Sequence, residues 1–310
     1  MTKKQKKRSV ALALSGAVLA SGAVASYVLL RRHPRYVTHK QVFDISQTGK
    51  KEGEITVMSC NVRCFTPTDT GKKNWHYRAD LVVKNIARTS PDIIGFQEVK
   101  PNQQKYLSET LKGYDYVIQY RDASPASEAC PVYYRADKYK LVDKGSFWLS
   151  ETPKKESKAW GASCYRICSY TILEELAGGR RFVVFNTHLD HVSDEARVKG
   201  IGVVLDKIAQ FGNLPAMIMG DFNAYEDSET YKMATENFLD TKYQTENTMD
   251  SATYQAWGEK LDAPCIDYIM ISKTGFAVEK YFVQTDTYDG VYPSDHFPVC
   301  AVLHLSGEKQ

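Results

Sequence analysis

The 310-residue chain has no CxxC pair, no internal repeat, no low-complexity segment and no acidic residue among its first 35 positions. Each absence removes something. Seven cysteines (Cys60, Cys64, Cys130, Cys164, Cys168, Cys265 and Cys300) are odd in number, and the two close pairs are four residues apart, so neither a disulfide framework nor a tetrahedral zinc site is indicated. Most of them read as small core residues. The lack of repeats and of low-complexity sequence, with 43% apolar and 12% aromatic residues, excludes a disordered chain and points to one domain with a sizeable core. The formal charge of +3 misleads, because positions 1–35 carry eight Lys or Arg. The rest has 32 basic against 37 acidic residues, a net of −5. Such a body offers no global electrostatic reason for tight nonspecific binding to a nucleic-acid duplex.

What is present begins with an uncharged run. Ser9 to Leu30 spans 22 residues without a charge, after five basic residues and before Arg31, Arg32 and Arg35, and can cross a bilayer as a helix. A cleaved secretory signal is the alternative, since Ala23-Val24-Ala25 fits the small-residue cleavage pattern. Continuation through Tyr27, Val28, Leu29 and Leu30 up to arginines favours an anchor, and the larger positive charge before the run places the body outside the cytoplasm. Residues 1–30 are therefore expected to be a signal-anchor or transmembrane segment and 31–52 a polar tether with a short strand around Tyr36 to Phe43. Residues 53–310 are the folded domain. The body is expected to be membrane-anchored and extracytoplasmic, or secreted if the signal is cleaved.

From Glu54 onward short apolar runs alternate with helical patterns, which predicts a single α/β domain. Strands are expected at Ile55 to Met58, Asp92 to Phe96, Tyr116 to Tyr120, Val132 to Tyr134, Arg166 to Leu173, Arg181 to Asn186, Ala216 to Met219, Ile266 to Ile271 and Val299 to Leu305. Helices follow Asn74 and Ser193 as caps, and a third runs from Pro101 to Leu111, closed by Gly113. Segments 66–73, 122–129, 151–163 and 237–264 read as long loops, which in compact domains are often binding loops.

The run Ala216-Met217-Ile218-Met219 ends abruptly in Gly220-Asp221-Phe222-Asn223. If the chain stays extended, Asp221 and Asn223 share a side and can converge on one atom, although a plain Gly-Asp turn has the same composition. Asn61, Glu98, His188, Asp267, Asp295 and His296 also fall at or beside strand ends, and strand ends gathered on one sheet edge make a natural active-site rim.

The ordered segments Cys-Asn-Val-Arg (60–63), Phe-Gln-Glu-Val (96–99), Asn-Thr-His-Leu (186–189), Gly-Asp-Phe-Asn (220–223), Ile-Asp-Tyr-Ile (266–269) and Ser-Asp-His-Phe-Pro (294–298) resemble the endonuclease/exonuclease/phosphatase superfamily. The wording at Phe147 to Pro153 and His188 to His191 resembles a bacterial branch near its deadenylase group. The resemblance implies a four-layer α/β sandwich, two mixed β-sheets flanked by helices, and a Mg²⁺-dependent hydrolase of phosphate esters, with Mn²⁺ as the alternative ion. Asn61, Glu98 and Asp295 are implied to hold or orient the cation, Asp221 to deprotonate water with Asn223 placing it, His296 to contact the phosphate with Asp267 behind it, and His188 to donate to another phosphate oxygen. Arg63 and Arg166 are candidate phosphate clamps or surface ion pairs, and Asp190 a supporting residue behind the site. The substrate stays open between nucleic acid, lipid headgroup and small phosphometabolite. Tyr133, Tyr134, Trp148, Trp160 and Trp257 are available for base stacking or for packing. A non-catalytic surface-binding protein on the same fold is the competing reading.

Overall fold

A computed structural model describes residues 53–306. The expected anchor, tether and short strand at 36–43 lie outside them. No helix among the described residues is long and apolar enough to cross a membrane. In chain order the strands are β1 (Glu54–Asn61), β2 (Ile93–Gln97), β3 (Tyr114–Val117), β4 (Val132–Arg135), β5 (Tyr139–Trp148), β6 (Ile167–Glu175) and β7 (Arg181–His188). They continue as β8 (Ala216–Asp221), β9 (Phe238–Asp240), β10 (Thr248–Met249), β11 (Asp267–Ser272), β12 (Phe276–Val283) and β13 (Val299–Leu305). The helices are α1 (Trp75–Thr89), α2 (Pro101–Thr110), α3 (Asp194–Ala209) and α4 (Glu229–Asn237).

Two mixed sheets result, ordered β10-β12-β13-β1-β2-β4-β3 and β5-β6-β7-β8-β11-β9. Period-two side-chain alternation explains why both faces of the central strands are apolar. In β1, Ile55 and Val57 face the other sheet, while Met58 and Cys60 pack under α1 and α2 with Val82, Ile86 and Leu107. In β8, Met217 and Met219 enter the same inter-sheet core, while Ala216 and Ile218 meet Ile201 and Val204 of α3. Three apolar interfaces thus stack four layers, helix, sheet, sheet, helix. Asn74 caps α1 by accepting from the His76 N–H at 3.0 Å, and the Ser193 hydroxyl caps α3 by accepting from Ala196 at 3.2 Å.

The sheets approach closely beneath one edge. Gly95 lies where any side chain would collide with Met219 and Asn186 of the facing sheet. There the Asn186 amide donates to the carbonyls of Phe96 and Pro131, both at 2.8 Å, and Gln97 donates to Asn186 Oδ1 at 2.7 Å. A buried polar link of this kind fixes the two strand-end sets relative to each other. Gly220, at φ 153°, is packed so tightly on Thr187 of β7 that a Cβ would penetrate the Thr187 carbonyl oxygen. Gly220→Ala is accordingly expected to lower stability by about 1–3 kcal/mol through backbone displacement, read as a lower urea midpoint at unchanged m-value.

Two sequence expectations change, and the reading of the cysteines holds. The strand expected at 116–120 runs over Tyr114–Val117, because Gly113 turns the chain at φ 88° and the buried Tyr114 ring anchors the strand at once. The segment 237–264 holds β9, β10 and two single-turn 3₁₀ helices, with Asp240 accepting from Tyr231 Oη at 3.0 Å and from the Lys242 N–H at 3.0 Å. All seven cysteines are free, five of them buried as expected, with Cys64 and Cys164 half-buried.

Candidate active site

Strand register delivers the site residues to one edge. Parallel pairing of β7 with β8 sets His188 opposite Asp221, and antiparallel pairing of β8 with β11 sets Asp267 opposite the same Asp221. In the other sheet Asn61 ends β1 opposite Gln97 of β2, so Glu98 is the first residue beyond that strand. Asp295 and His296 arrive on the turn before β13. Glu98, His188, Asp221, Asn223, Asp295 and His296 all line one cavity of about 390 Å³, with Asn61 and Asp267 bonded to them from behind.

The hydrogen bonds assign orientations. Asn61 Oδ1 accepts from the Arg63 N–H at 2.9 Å, which turns its amide nitrogen toward Glu98 Oε1 at 3.0 Å and Asp221 Oδ2 at 2.9 Å. In this arrangement Asn61 holds the two carboxylates together. Asn223 is not extended: its N–H bonds Asp221 Oδ1 at 2.9 Å and its φ is 48°. This Asx-type turn swings its amide to His188 Nε2, at 3.0 Å, and to the Leu189 carbonyl. Extended-strand geometry therefore does not apply to Asn223. Arg63 and Glu98 also have positive φ, 53° and 64°, so three residues of this small region hold a backbone conformation costing of order 1–3 kcal/mol each.

The two histidines are driven apart electrically. Burial and the Arg166 charge push His188 well below the ordinary imidazole value, so it is neutral and accepts from Asn223. Burial opposes charging of His296 too, but Asp267, bonded to Nδ1 at 2.9 Å, and Asp221 overcome it and raise the ring to about 10. Asp221 is pushed up to about 7 by burial and the neighbouring Asp267. For Glu98, burial is outweighed by the Cys64 N–H, the Asn61 amide and the cationic His296, leaving it below the ordinary carboxylate range. Opposed pKa values of this kind sort a base from a cationic donor. The His296 imidazolium exists below about 10 and is lost as pH rises through that value. Asp267→Asn removes the carboxylate that raises it and is expected to move the alkaline limb of the kcat/KM profile down toward the ordinary histidine value of 6.5. An alkaline limb that stays in place would show that charged His296 is not required.

Arg63 and Arg166 both reach the cavity. Arg63 is tied to Asp69 at 3.0 Å and stands 3.7 Å from Asp295. Arg166 is 6% exposed, pairs with Asp190 at 3.5 Å and donates to His191 Nδ1 at 3.0 Å. Asp190 itself accepts from the backbone N–H groups of Ser163, Val192 and Ser193, so it backs the arginine as a fixed charge. Sequence reasoning missed Arg121 and Glu128, which also line the cavity, and Arg78 beneath it. A loop arginine carries no motif, and Arg78 sits in a helix whose apolar stripe draws the eye elsewhere. The aromatic residues considered for stacking do not line the cavity. Tyr133 and Tyr134 are core, the Trp148 indole N–H is bound to the Arg121 carbonyl, and Trp257 stacks on Arg78. Tyr254, packed against His296, is the aromatic residue that does.

Glu98, His188 and Asp221 each offer a ligand atom, all within 4.8 Å of one another. A half-buried and a buried carboxylate brought this close repel each other, and hard oxygen donors of this kind fit a hydrated divalent cation. The chain therefore fits such an ion at Glu98, beside Asp221. Asp295 lines the same cavity as Glu98 and stands 3.7 Å from Arg63.

A family model described as the endonuclease/exonuclease/phosphatase family matches residues 58–296. A solved member of that family from Bacteroides thetaiotaomicron is 33% identical, with TM-score 0.78, over 82% of this chain and 98% of its own. A mannosyl-6-phosphatase from the same species is 34% identical, with TM-score 0.76, over 80% and 99%. The CCR4-Not complex 3′-5′-exoribonuclease subunit Ccr4 of Candida albicans is 24% identical over 87% of this chain, which spans 44% of that protein's length.

Proposed function

The chain belongs to the endonuclease/exonuclease/phosphatase family, and from that premise we propose that it hydrolyses phosphate monoesters carried on small polar molecules such as sugars. One observation carries the choice within the family: the cavity around Asp221 is about 390 Å³ and has one tyrosine, Tyr254, and no phenylalanine or tryptophan on its wall. That volume suits a small molecule, and one tyrosine already packed on His296 offers no platform for successive bases. Similarity to a mannosyl-6-phosphatase at 34% identity supports the same choice.

Each residue then has a task. Asp221, held by the Asn61 amide and the Asn223 N–H, accepts the proton of a water aligned with the phosphorus. Its pKa near 7 makes it an adequate base at neutral pH. His296, kept cationic and in one orientation by Asp267, donates to a phosphoryl oxygen as charge builds there. Neutral His188 fills the space beside Asp221 and keeps Asn223 in place. A Mg²⁺ ion at Glu98, with Mn²⁺ as substitute, would supply charge neutralisation at the phosphate.

The test compares substrates. The full-length chain with Mg²⁺ is offered a hexose 6-phosphate, bis(4-nitrophenyl) phosphate and an oligoribonucleotide. We expect kcat/KM for the sugar phosphate to exceed both others by about 100-fold or more. A higher value on the oligoribonucleotide would reverse the substrate assignment.

A further inference from the structure

We propose that Arg121, braced by Glu128 on the loop between β3 and β4, is the residue that selects a dianionic phosphate, receiving its non-bridging oxygens together with Arg166. This rests on the monoester reading above and names how the pocket would enforce it. The loop is built to present this side chain. Arg121 donates its N–H to the Glu128 carbonyl at 2.9 Å, its own carbonyl accepts from the Trp148 indole at 2.7 Å, and an isolated bridge joins Tyr120 to Ala129 just outside. Within the loop, the Asp122 N–H bonds Ser127 Oγ at 3.0 Å. The backbone of Arg121 is therefore held from both sides, and its guanidinium bonds Glu128 Oε2 at 2.8 Å through a single nitrogen.

The two guanidinium groups converge on the site. Arg121 and Arg166 both line the cavity that holds His188 and Asp221, and their inner Nε atoms face Asp122 at 3.7 Å and Asp190 at 3.5 Å, so each charge is held in place from behind. Their charges both act on His188, which places them around the same centre. Guanidinium forks suit phosphate oxygens. A monoester dianion offers three non-bridging oxygens, enough for His296 and both arginines. A diester offers two and carries an ester group where the third would be, so it leaves one guanidinium facing carbon. The loop expected from sequence to be a binding loop thereby acquires a specific duty.

The experiment uses the full-length chain, its Arg121→Ala and Arg121→Lys variants, and two probes, inorganic phosphate at pH 8 and dimethyl phosphate, as inhibitors of diester hydrolysis and as calorimetric ligands. We expect Arg121→Ala to weaken phosphate binding by about 30-fold or more, with Arg121→Lys recovering part of the loss, and the ratio of phosphate to dimethyl phosphate affinity to fall by about tenfold or more. Equal losses for both probes would reduce Arg121 to a structural brace, and unchanged phosphate binding would show that it does not touch the ligand; either overturns the proposal. If the wild type favours diesters yet its phosphate binding depends on Arg121, the monoester reading falls and the selector stands.

Discussion

Asp221→Asn is expected to lower kcat by about 10²- to 10⁴-fold while leaving the folded protein as stable as the parent or more so. The loss follows from position. Asp221 is 1% exposed, faces the cavity, and is held by Asn61 at 2.9 Å and by the Asn223 N–H at 2.9 Å, so it is the group placed to take a proton from water. An amide can keep much of this geometry and cannot accept the proton. The stability side follows from burial and Asp267, which raise the carboxyl from 3.8 to about 7. A carboxylate whose folded pKa is raised costs the folded state progressively as pH climbs from 3.8 to 7, and the whole cost is present above 7. The variant should therefore gain most in Tm above pH 7 and nothing near pH 4. A variant that lost activity and Tm together at pH 8 would place Asp221 in the scaffold.

Arg78→Met is expected to cost about 3–5 kcal/mol of stability and at least about tenfold in kcat/KM, although Arg78 is fully buried and outside the cavity lining. Its guanidinium donates to four carbonyls, those of Lys73, Val62, Arg63 and Pro293, and lies between the rings of Trp75 and Trp257. Two of those carbonyls belong to the turn just after Asn61, and Pro293 precedes Asp295 and His296. Methionine fills much of the volume but leaves the carbonyls without a donor, and the two turns are freed from one another. The measurement is a urea titration beside a kcat/KM determination at subdenaturing conditions. Stability lost with full activity in the folded fraction would show that the two turns keep their places without Arg78.

The parts of this fold legible in sequence are those where local pattern and tertiary role agree. The Asn74 cap with its apolar stripe, the Ser193 cap, and the run from Ala216 into Gly220 each state locally what the structure uses. β5 escaped because it borders its sheet as an edge strand and carries exposed Lys140, Asp143 and Lys144, which break the apolar alternation. β12 escaped because its register shifts between Val278 and Lys280. α4 is short and polar, and only Thr230, Tyr231 and Ala234 are buried. The site was legible as residue types but not as orientations: no spacing rule gives the turn that takes Asn223 to His188, or the Arg63 N–H that reverses the Asn61 amide. Arg121 and Arg78 become visible only when loops distant in sequence meet.

All of this converges on a water molecule directed by Asp221 onto phosphorus. One turnover of a sugar phosphate by the full-length enzyme in ¹⁸O-enriched water tests it most directly, with the label followed by mass spectrometry. Attack at phosphorus predicts one heavy oxygen in the released phosphate and none in the sugar. Label in the sugar, or labelled phosphate formed equally fast by the Asp221→Asn variant, would contradict the assignment.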